Sequence, residues 1–281
     1  MKYQRIVLLL LLSIILFVSC THSNMTTGSS SQVHALIKDK HLEEAIRRQL
    51  NLSKEIELSK NHLENLTILE ASSSKVKSIE GLQYAINLEE IDLTDNEVRS
   101  LKPLSSLEKL KYLFLGHNKV KDLTPLSNCT SLKGLYIQSN QVESLKPLHK
   151  LVNMETLTME NNNLSTLEGI ENMKNLTHLY AGSNKLTEIS SISQLLSLKT
   201  IYLYNNKIID LSPIQNLISI ESLRLENNQI QDISVLAKLA ENGALSPKYE
   251  GLDYDINISG NPIKNEKDNT IEKLEQLGIK V

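Results

Sequence analysis

Residues 110–131, LKYLFLGHNKVKDLTPLSNCTS, decide the fold of this chain. Leu, Val or Cys occupies positions 1, 4, 6, 11, 14, 17 and 20 of this stretch, and asparagine occupies position 9. The pattern returns every 22 residues, so its asparagines form a column with constant spacing: Asn96, Asn118, Asn140, Asn162, Asn184, Asn206 and Asn228. A fixed period of this length predicts a repeat architecture in which each unit buries its apolar residues against its neighbours.

Each unit combines a short strand with a return segment. Positions 4 and 6 are apolar with a period of two, which predicts a strand with one buried face, stacked with its neighbours into a parallel sheet. Position 16 holds proline in four units, at Pro103, Pro125, Pro147 and Pro213. Because proline breaks a helix interior, the return segment is expected to be extended or to contain 3₁₀ turns. The asparagine stands where the chain leaves the strand, so it is expected to satisfy backbone groups of adjacent turns and to have no catalytic role.

This pattern resembles the leucine-rich repeat in its 22-residue class, and the resemblance covers about half of the chain. It implies an α/β-type horseshoe solenoid with a parallel β-sheet on its concave face, extended or 3₁₀ returns on its convex face, and helical caps. The layout is similar to the repeat region of bacterial internalins and of related surface lipoproteins. We expect the chain to end without the immunoglobulin-like domain and wall-sorting tail of internalins.

Residues 1–19 are interpreted as a lipoprotein signal peptide. Two basic residues precede an apolar run over residues 6–18, which is too short for a membrane-spanning helix. The sequence FVSC at residues 17–20 resembles the lipobox of bacterial lipoproteins, which implies that Cys20 carries the lipid. Residues 20–32, rich in Ser and Thr, are predicted to form a flexible tether. A plain secretory signal peptide with a chance cysteine is the alternative.

The segments on either side of the repeats are expected to be caps. Residues 33–65 are predicted to form a helical N-terminal cap, with Asp39 and Ser59 each beginning a helix. Residues 66–239 hold the leucine-rich repeats, of which the first is degenerate. Residues 240–281 are predicted to contain an insertion, a last repeat and a closing C-terminal helix.

Composition and motifs exclude several classes of function. The formal net charge of −3 lacks the basic excess expected of a nucleic-acid binder. Cys20 and Cys129 are too few for a disulfide framework or a Cys-based zinc site, and Cys129 falls at a position expected to be buried and inert. The histidines lack metal-site spacing, and the sequence contains no nucleophile elbow, P-loop or dinucleotide fingerprint. We therefore expect a protein that is not an enzyme and that uses no metal and no cofactor.

Function is then expected on the concave face, defined here as positions 3, 5 and 7 of each unit. The chain has only 9 Tyr, 2 Phe and no Trp, yet six of these aromatic residues fall on that face: Tyr112, Phe114, Tyr136, Tyr180, Tyr202 and Tyr204. Rings of this size bury large areas when they are covered, so the set is a candidate ligand-binding patch. The alternative is an aromatic ladder that only stabilises the sheet through cross-strand contacts.

Charge on the concave face narrows the choice of partner. The face carries one basic residue, Arg224, and six acidic residues: Glu70, Glu90, Asp92, Glu160, Glu226 and Asp255. Such a face should repel nucleic acid and favour a protein, a peptide or a glycan stacked on tyrosine. We therefore expect an extracytoplasmic binding module, attached to the bacterial cell membrane only through its N-terminal lipid, whose oligomeric state stays open. The alternative is a structural spacer, or an assembly or regulatory subunit of an envelope complex, without its own ligand.

Overall fold

Nine short parallel strands form the central sheet in the part of the chain that the structure describes. The computed structural model describes residues 35–245, 256–264 and 269–279. The strands are β1 (Ile68–Glu70), β2 (Glu90–Asp92), β3 (Tyr112–Phe114), β4 (Gly134–Tyr136), β5 (Thr156–Thr158), β6 (His178–Tyr180), β7 (Thr200–Tyr202), β8 (Ser222–Arg224) and β9 (Ile256–Asn257). They lie in one sheet in chain order, from β1 to β9. This arrangement confirms the predicted solenoid with a parallel sheet.

The strand register is the same from unit to unit through β8. Leu113 pairs with Leu135, and Leu135 pairs with Leu157, so each position lies beside the same position of the next unit. These three leucines have no exposed surface. A column that is read every 22 residues in the sequence is therefore a row of neighbouring side chains in the structure, at a spacing of about 4.8 Å.

The return segments follow the proline prediction in most units. Single 3₁₀ turns lie at Leu82–Tyr84, Lys102–Leu104, Thr124–Leu126, Lys146–Leu148, Ser190–Ile192 and Ser212–Ile214. In the four units that contain it, proline lies within the first two residues of this turn. The unit after β8 departs from the expectation, because its return is an α-helix, α3 (Ser234–Glu241). Val235 occupies the proline position there, so nothing prevents a longer helix.

The asparagine column forms a ladder of backbone contacts, as predicted. Asn118 is typical: its Nδ2 donates to the carbonyls of Leu93 at 2.8 Å and Leu115 at 3.1 Å, and its Oδ1 accepts from the Val98 backbone N–H at 2.9 Å. Asn140 repeats the pattern one unit later. These amides satisfy backbone groups that leave the strand without ladder partners, so the role of the column is structural.

A second column, at position 8, escaped the sequence analysis. Its residues all adopt left-handed backbone conformations with φ between 52° and 57°: Ser73, Asp95, His117, Ser139, Asn161, Ser183, Asn205 and Asn227. The signal was present in the sequence, since the column contains no β-branched residue and is rich in Asn, Asp and His, which tolerate this conformation best. The resulting bend turns the chain out of each strand.

Two helices cover the N-terminal end of the core, beside β1. The helices are α1 (Lys40–Gln49) and α2 (Lys60–Glu64), and α1 packs against β1. Asp39 caps α1 through Oδ1, while its Oδ2 accepts the backbone N–H groups of Lys77 at 2.8 Å and Ser78 at 3.0 Å. One carboxylate therefore ties the cap to the first repeat.

The C-terminal end is closed by helix α4 (Thr270–Gln276), which packs against α3. Leu274 is buried, whereas Ile271 and Leu277 are 43% and 48% exposed. Much of the predicted insertion, residues 246–255, lies outside the described residues, as do the predicted signal peptide and tether. Among the helices that are described, none combines the length and the apolar character needed to cross a membrane.

Cys129 lies in the apolar core, as its position in the repeat predicted. The side chain has no exposed surface, and its thiol donates to the carbonyl of Leu104 at 3.4 Å. Burial, together with the nearby charge of Glu108, raises the pKa of this thiol to about 11. The thiol is therefore protonated at neutral pH and is a poor nucleophile.

Candidate functional site

The structure divides the six predicted aromatic residues into two groups on the concave face. The first aromatic cluster comprises Tyr112, Phe114 and Tyr136, and the second comprises Tyr180, Tyr202 and Tyr204. All six side chains are partly buried rather than fully exposed. Strand β5 separates the clusters and presents Thr156 and Thr158 on this face. The aromatic residues therefore form two patches and not one continuous stripe.

The first aromatic cluster is a stack of rings close to the sheet. The rings of Phe114 and Tyr136 lie parallel, with centroids 4.4 Å apart and an interplanar angle of 10°. Gly134 lies beside them, and a Cβ atom there would come within 2.8 Å of Cδ1 of Tyr112 and 3.0 Å of Cε2 of Tyr136. The glycine thus lets two rings approach the backbone where any side chain would separate them.

A glutamine extends the first aromatic cluster toward the ends of the strands. The side chain of this residue, Gln138, lies over Gly116. A Cβ atom on Gly116 would come within 2.3 Å of Nε2 of Gln138. The side-chain carbonyl oxygen of Gln138 is buried and has no hydrogen-bond partner among residues 35–245, 256–264 and 269–279. A buried acceptor without a donor costs stability, so a donor that reached this atom would stabilise the cluster.

The second aromatic cluster has a different geometry. Tyr180 and Tyr202 meet edge to face, with centroids 5.1 Å apart and an interplanar angle of 88°. His178 stacks beside Tyr180 at 6.4 Å. Burial, and then the nearby charge of Lys199, lower the pKa of His178, so the imidazole is neutral at pH 7.

Tyr204 spans two unit boundaries of the second aromatic cluster. Its hydroxyl donates to Oε1 of Glu160 at 2.7 Å, a residue that lies 44 positions earlier in the chain. The ring crosses over Gly182, where a Cβ atom would lie 2.5 Å from Cε1 and Cζ. Burial and the bond to Glu160 raise the pKa of Tyr204 above its usual range.

Charged groups complete the second aromatic cluster. The guanidinium carbon of Arg224 lies 5.5 Å from the ring centroids of both Tyr202 and Tyr204, which is within cation–π range. Nη2 of Arg224 also pairs with Oε1 of Glu226 at 2.5 Å. Glu226 is only 8% exposed, and its second oxygen, Oε2, is buried and has no partner within the described part of the chain. Sequence reasoning placed Arg224, Glu160 and Glu226 on this face but missed their contacts with the tyrosines.

The acidic residues of the face do not all behave as outward charges. Asp92 is only 6% exposed, and its Oδ1 accepts the backbone N–H of Thr94 at 2.9 Å, so it supports the turn after β2. Glu70 is exposed, as expected. Asp255 lies outside the described residues. The acidic character of the concave face is therefore concentrated in fewer side chains than the sequence implied.

A cavity of about 840 Å³ lies away from the concave face, beside α1 and the turn after β1. Its lining includes Arg47, Arg48 and Lys54 but none of the six predicted aromatic residues. Arg47 is already engaged, because it pairs with Glu43 at 2.7 Å and donates to the carbonyl of Ile56 at 2.8 Å. The guanidinium of Arg47 therefore fastens the helical cap.

The family of the chain follows from its repeats. Residues 86–128, 130–172, 174–216 and 197–238 match the family described as Leucine Rich repeats (2 copies). These matches span more than half of the 281 residues, and the chain belongs to the leucine-rich-repeat family.

Two solved structures from Listeria monocytogenes are similar to this chain over most of its length. An internalin (inlF) is 30% identical with a TM-score of 0.77, over 89% of this chain and 70% of the internalin. Internalin C2 (inlC2) is 29% identical with a TM-score of 0.71, over 78% of this chain and 98% of the internalin. The chain is therefore internalin-like.

A plant protein shares the fold at lower identity. The ectodomain of the membrane receptor kinase GASSHO1/SCHENGEN3 from Arabidopsis thaliana, in complex with CASPARIAN STRIP INTEGRITY FACTOR 2, is 22% identical with a TM-score of 0.54, over 66% of this chain and 23% of that protein. The comparison with curated proteins found no match. Leucine-rich-repeat proteins generally mediate protein–protein interaction, and the internalin neighbours indicate an extracellular or surface protein.

Proposed function

We propose that this protein is a lipid-anchored extracytoplasmic module that binds another protein or a peptide on its concave face. The observation that carries the proposal is the concentration of six aromatic side chains on that face, in a chain with 9 Tyr and 2 Phe. Aromatic residues and arginine are enriched in protein interfaces and lysine is depleted there, and the concave face follows this composition.

The details of the two clusters favour binding over a purely structural ladder. A ladder that only stabilises the sheet needs ring-to-ring contacts along the strands. This face also has two buried acceptors that no described residue pairs with, Oε1 of Gln138 and Oε2 of Glu226. Unpaired buried acceptors lower the stability of the isolated protein, whereas a partner with N–H donors would satisfy them. The spacer or envelope-subunit alternative does not account for these atoms.

The lipid anchor is part of the same proposal. Support comes from the apolar run of residues 6–18 and the FVSC sequence at residues 17–20, which precede the Ser- and Thr-rich tether of residues 20–32. Stable anchoring requires two or more acyl chains, which a lipidated Cys20 would carry. Replacing Cys20 with Ala should then abolish partitioning of the mature protein into detergent, while a variant that still partitions at mature size would refute the anchor.

The binding proposal is tested by crosslinking followed by measured affinity. A photo-crosslinker at position 180 in intact cells identifies the partner, which is then purified and titrated against variants. The double variant Tyr180→Ala, Tyr202→Ala should bind at least roughly 30-fold more weakly, since a single central tyrosine of an interface often contributes about 2 kcal/mol or more. Lys121→Ala, an exposed residue outside the concave face, is the control and should bind normally. Equal affinity of the double variant and the parent would refute the proposal.

A further inference from the structure

The second aromatic cluster already holds one cation, Arg224, between tyrosine rings and a carboxylate. The guanidinium carbon of Arg224 lies 5.5 Å from the centroids of two tyrosine rings and pairs with one oxygen of Glu226. Glu160 is held nearby by the hydroxyl of Tyr204. Flat aromatic faces together with carboxylates are the surroundings that a planar guanidinium prefers, because it can stack and donate at the same time.

Arg224 pairs with only one of the two carboxylate oxygens of Glu226. It pairs with Oε1 of Glu226, but Oε2 is buried without a donor. Glu160 and Glu226 bring two carboxylates to the tyrosines, and Arg224 pairs with Glu226 whereas Glu160 accepts from the Tyr204 hydroxyl, so a second positive charge would find a carboxylate here. Both buried side-chain atoms that lack a partner among the described residues, Oε1 of Gln138 and Oε2 of Glu226, are acceptors. The missing groups are therefore hydrogen-bond donors.

We propose that the second aromatic cluster is a recognition subsite for an arginine side chain of the partner. The partner's guanidinium takes the place of Arg224, so that it reaches the buried Oε2 of Glu226, donates to it and lies against the ring of Tyr204. The side chain of Arg224 is 41% exposed, so it can move aside while Glu160 and Glu226 then balance two positive charges. Arginine fits better than lysine because its guanidinium is planar, less strongly hydrated and able to bond a carboxylate through two N–H groups. This inference rests on the proposed binding role of the concave face.

The experiment uses a small probe and does not need the natural partner. N-acetyl-arginine amide is titrated against the protein, with the tyrosine ring resonances followed by NMR, and N-acetyl-citrulline amide serves as the neutral isostere. The arginine probe should shift the resonances of Tyr202 and Tyr204, and the citrulline probe should not. Glu226→Gln should weaken binding of the arginine probe about tenfold, because it removes a charge-assisted hydrogen bond.

Two further variants separate the subsite from general charge attraction and from misfolding. Glu70→Gln makes the same charge change at an exposed position on the same face, and it should leave the affinity for the probe unchanged. Arg224→Ala removes the resident cation, so it should strengthen binding of the arginine probe. Equal shifts from both probes, equal weakening by Glu70→Gln and Glu226→Gln, or weaker binding by Arg224→Ala would overturn the inference.

The result can be distinguished from failure of the proposed function. If the arginine probe does not bind but the Tyr180→Ala, Tyr202→Ala variant still loses the crosslinked partner, only the arginine subsite is wrong. If the probe binds as expected but that double variant retains full affinity for the partner, the concave-face proposal is wrong instead.

Discussion

Phe114 and Tyr136 of the first aromatic cluster stack ring on ring at 4.4 Å, whereas Tyr180 and Tyr202 of the second meet edge to face at 5.1 Å and lie beside charged groups. The strands beneath them pair in the same parallel register. Because the backbone is repeated, the difference between the clusters comes from their outward side chains alone. The solenoid thus separates fold from surface chemistry, and one face can carry an apolar patch and a charged patch side by side.

Glycine explains how each patch obtains its geometry. Gly134 allows Tyr112 and Tyr136 to lie close together, while Gly182 allows Tyr204 to cross toward Glu160. The same residue type therefore produces a compact ring stack in one cluster and a bridge to a carboxylate in the other. We expect the first cluster to contribute mainly apolar contact and the second to contribute selectivity for charge.

The largest expected loss of unfolding free energy comes from a charge placed in β5, the strand that separates the two clusters. Leu157 of β5 has no exposed surface, so Leu157→Asp places an unpaired charge in the apolar stack and should lower the free energy of unfolding by about 4 kcal/mol or more. Thr158→Asp, on the concave face of the same strand, is the matched control and should cost less than about 1 kcal/mol. Urea unfolding measures both, and similar losses in the two variants would contradict the assignment of inner and outer faces.

A smaller loss of unfolding free energy tests whether the repeat units beneath the two clusters are equally stable. Asn140 follows β4 in the first cluster and Asn206 follows β7 in the second, and each donates to carbonyls of its own and the preceding unit. Replacing either with Ala leaves several buried backbone groups unpaired, so each variant should lose about 3 kcal/mol of unfolding free energy. Costs that differ by much more than about 0.5 kcal/mol would show that the units beneath the clusters are not equivalent.

The smallest effect concerns the hydroxyl of Tyr204. Tyr204→Phe removes its bond to Glu160 and should cost about 1 kcal/mol at neutral pH, while Tyr112→Phe in the first cluster serves as the control. Thermal unfolding at pH 7 measures both variants. A cost for Tyr112→Phe as large as that for Tyr204→Phe would remove this difference between the clusters.

The same hydroxyl predicts a difference at high pH. Burial and the Glu160 bond raise the pKa of Tyr204 in the folded protein, whereas an unfolded tyrosine has a pKa of about 10. The stabilisation from the neutral phenol is therefore complete below about pH 10 and is lost as the pH rises above that value. Unfolding measured above pH 10 should show a steeper loss of stability in the parent than in Tyr204→Phe, and parallel curves would contradict the shifted pKa.

Several local features could be predicted from single positions in the sequence. The 3₁₀ turns follow from proline at position 16, the burial of Cys129 follows from its place in the apolar column, and the cap of α1 follows from Asp39. The left-handed column at position 8 was predictable from its composition. The exposure of Ile271 and Leu277 was not, because the orientation of α4 depends on how it packs against α3.

The sequence by itself determined the repeat, the parallel sheet, the inward asparagines and the set of side chains on the concave face. A strict 22-residue period repeats the same backbone conformation and the same apolar layer in every unit, so position in the unit decides which side is buried. Only the tertiary structure decided which outward side chains touch. Tyr204 reaches Glu160 across Gly182, and Arg224 lies over two tyrosines. These side chains come from four consecutive units, so their rotamers depend on one another and cannot be predicted from any single unit.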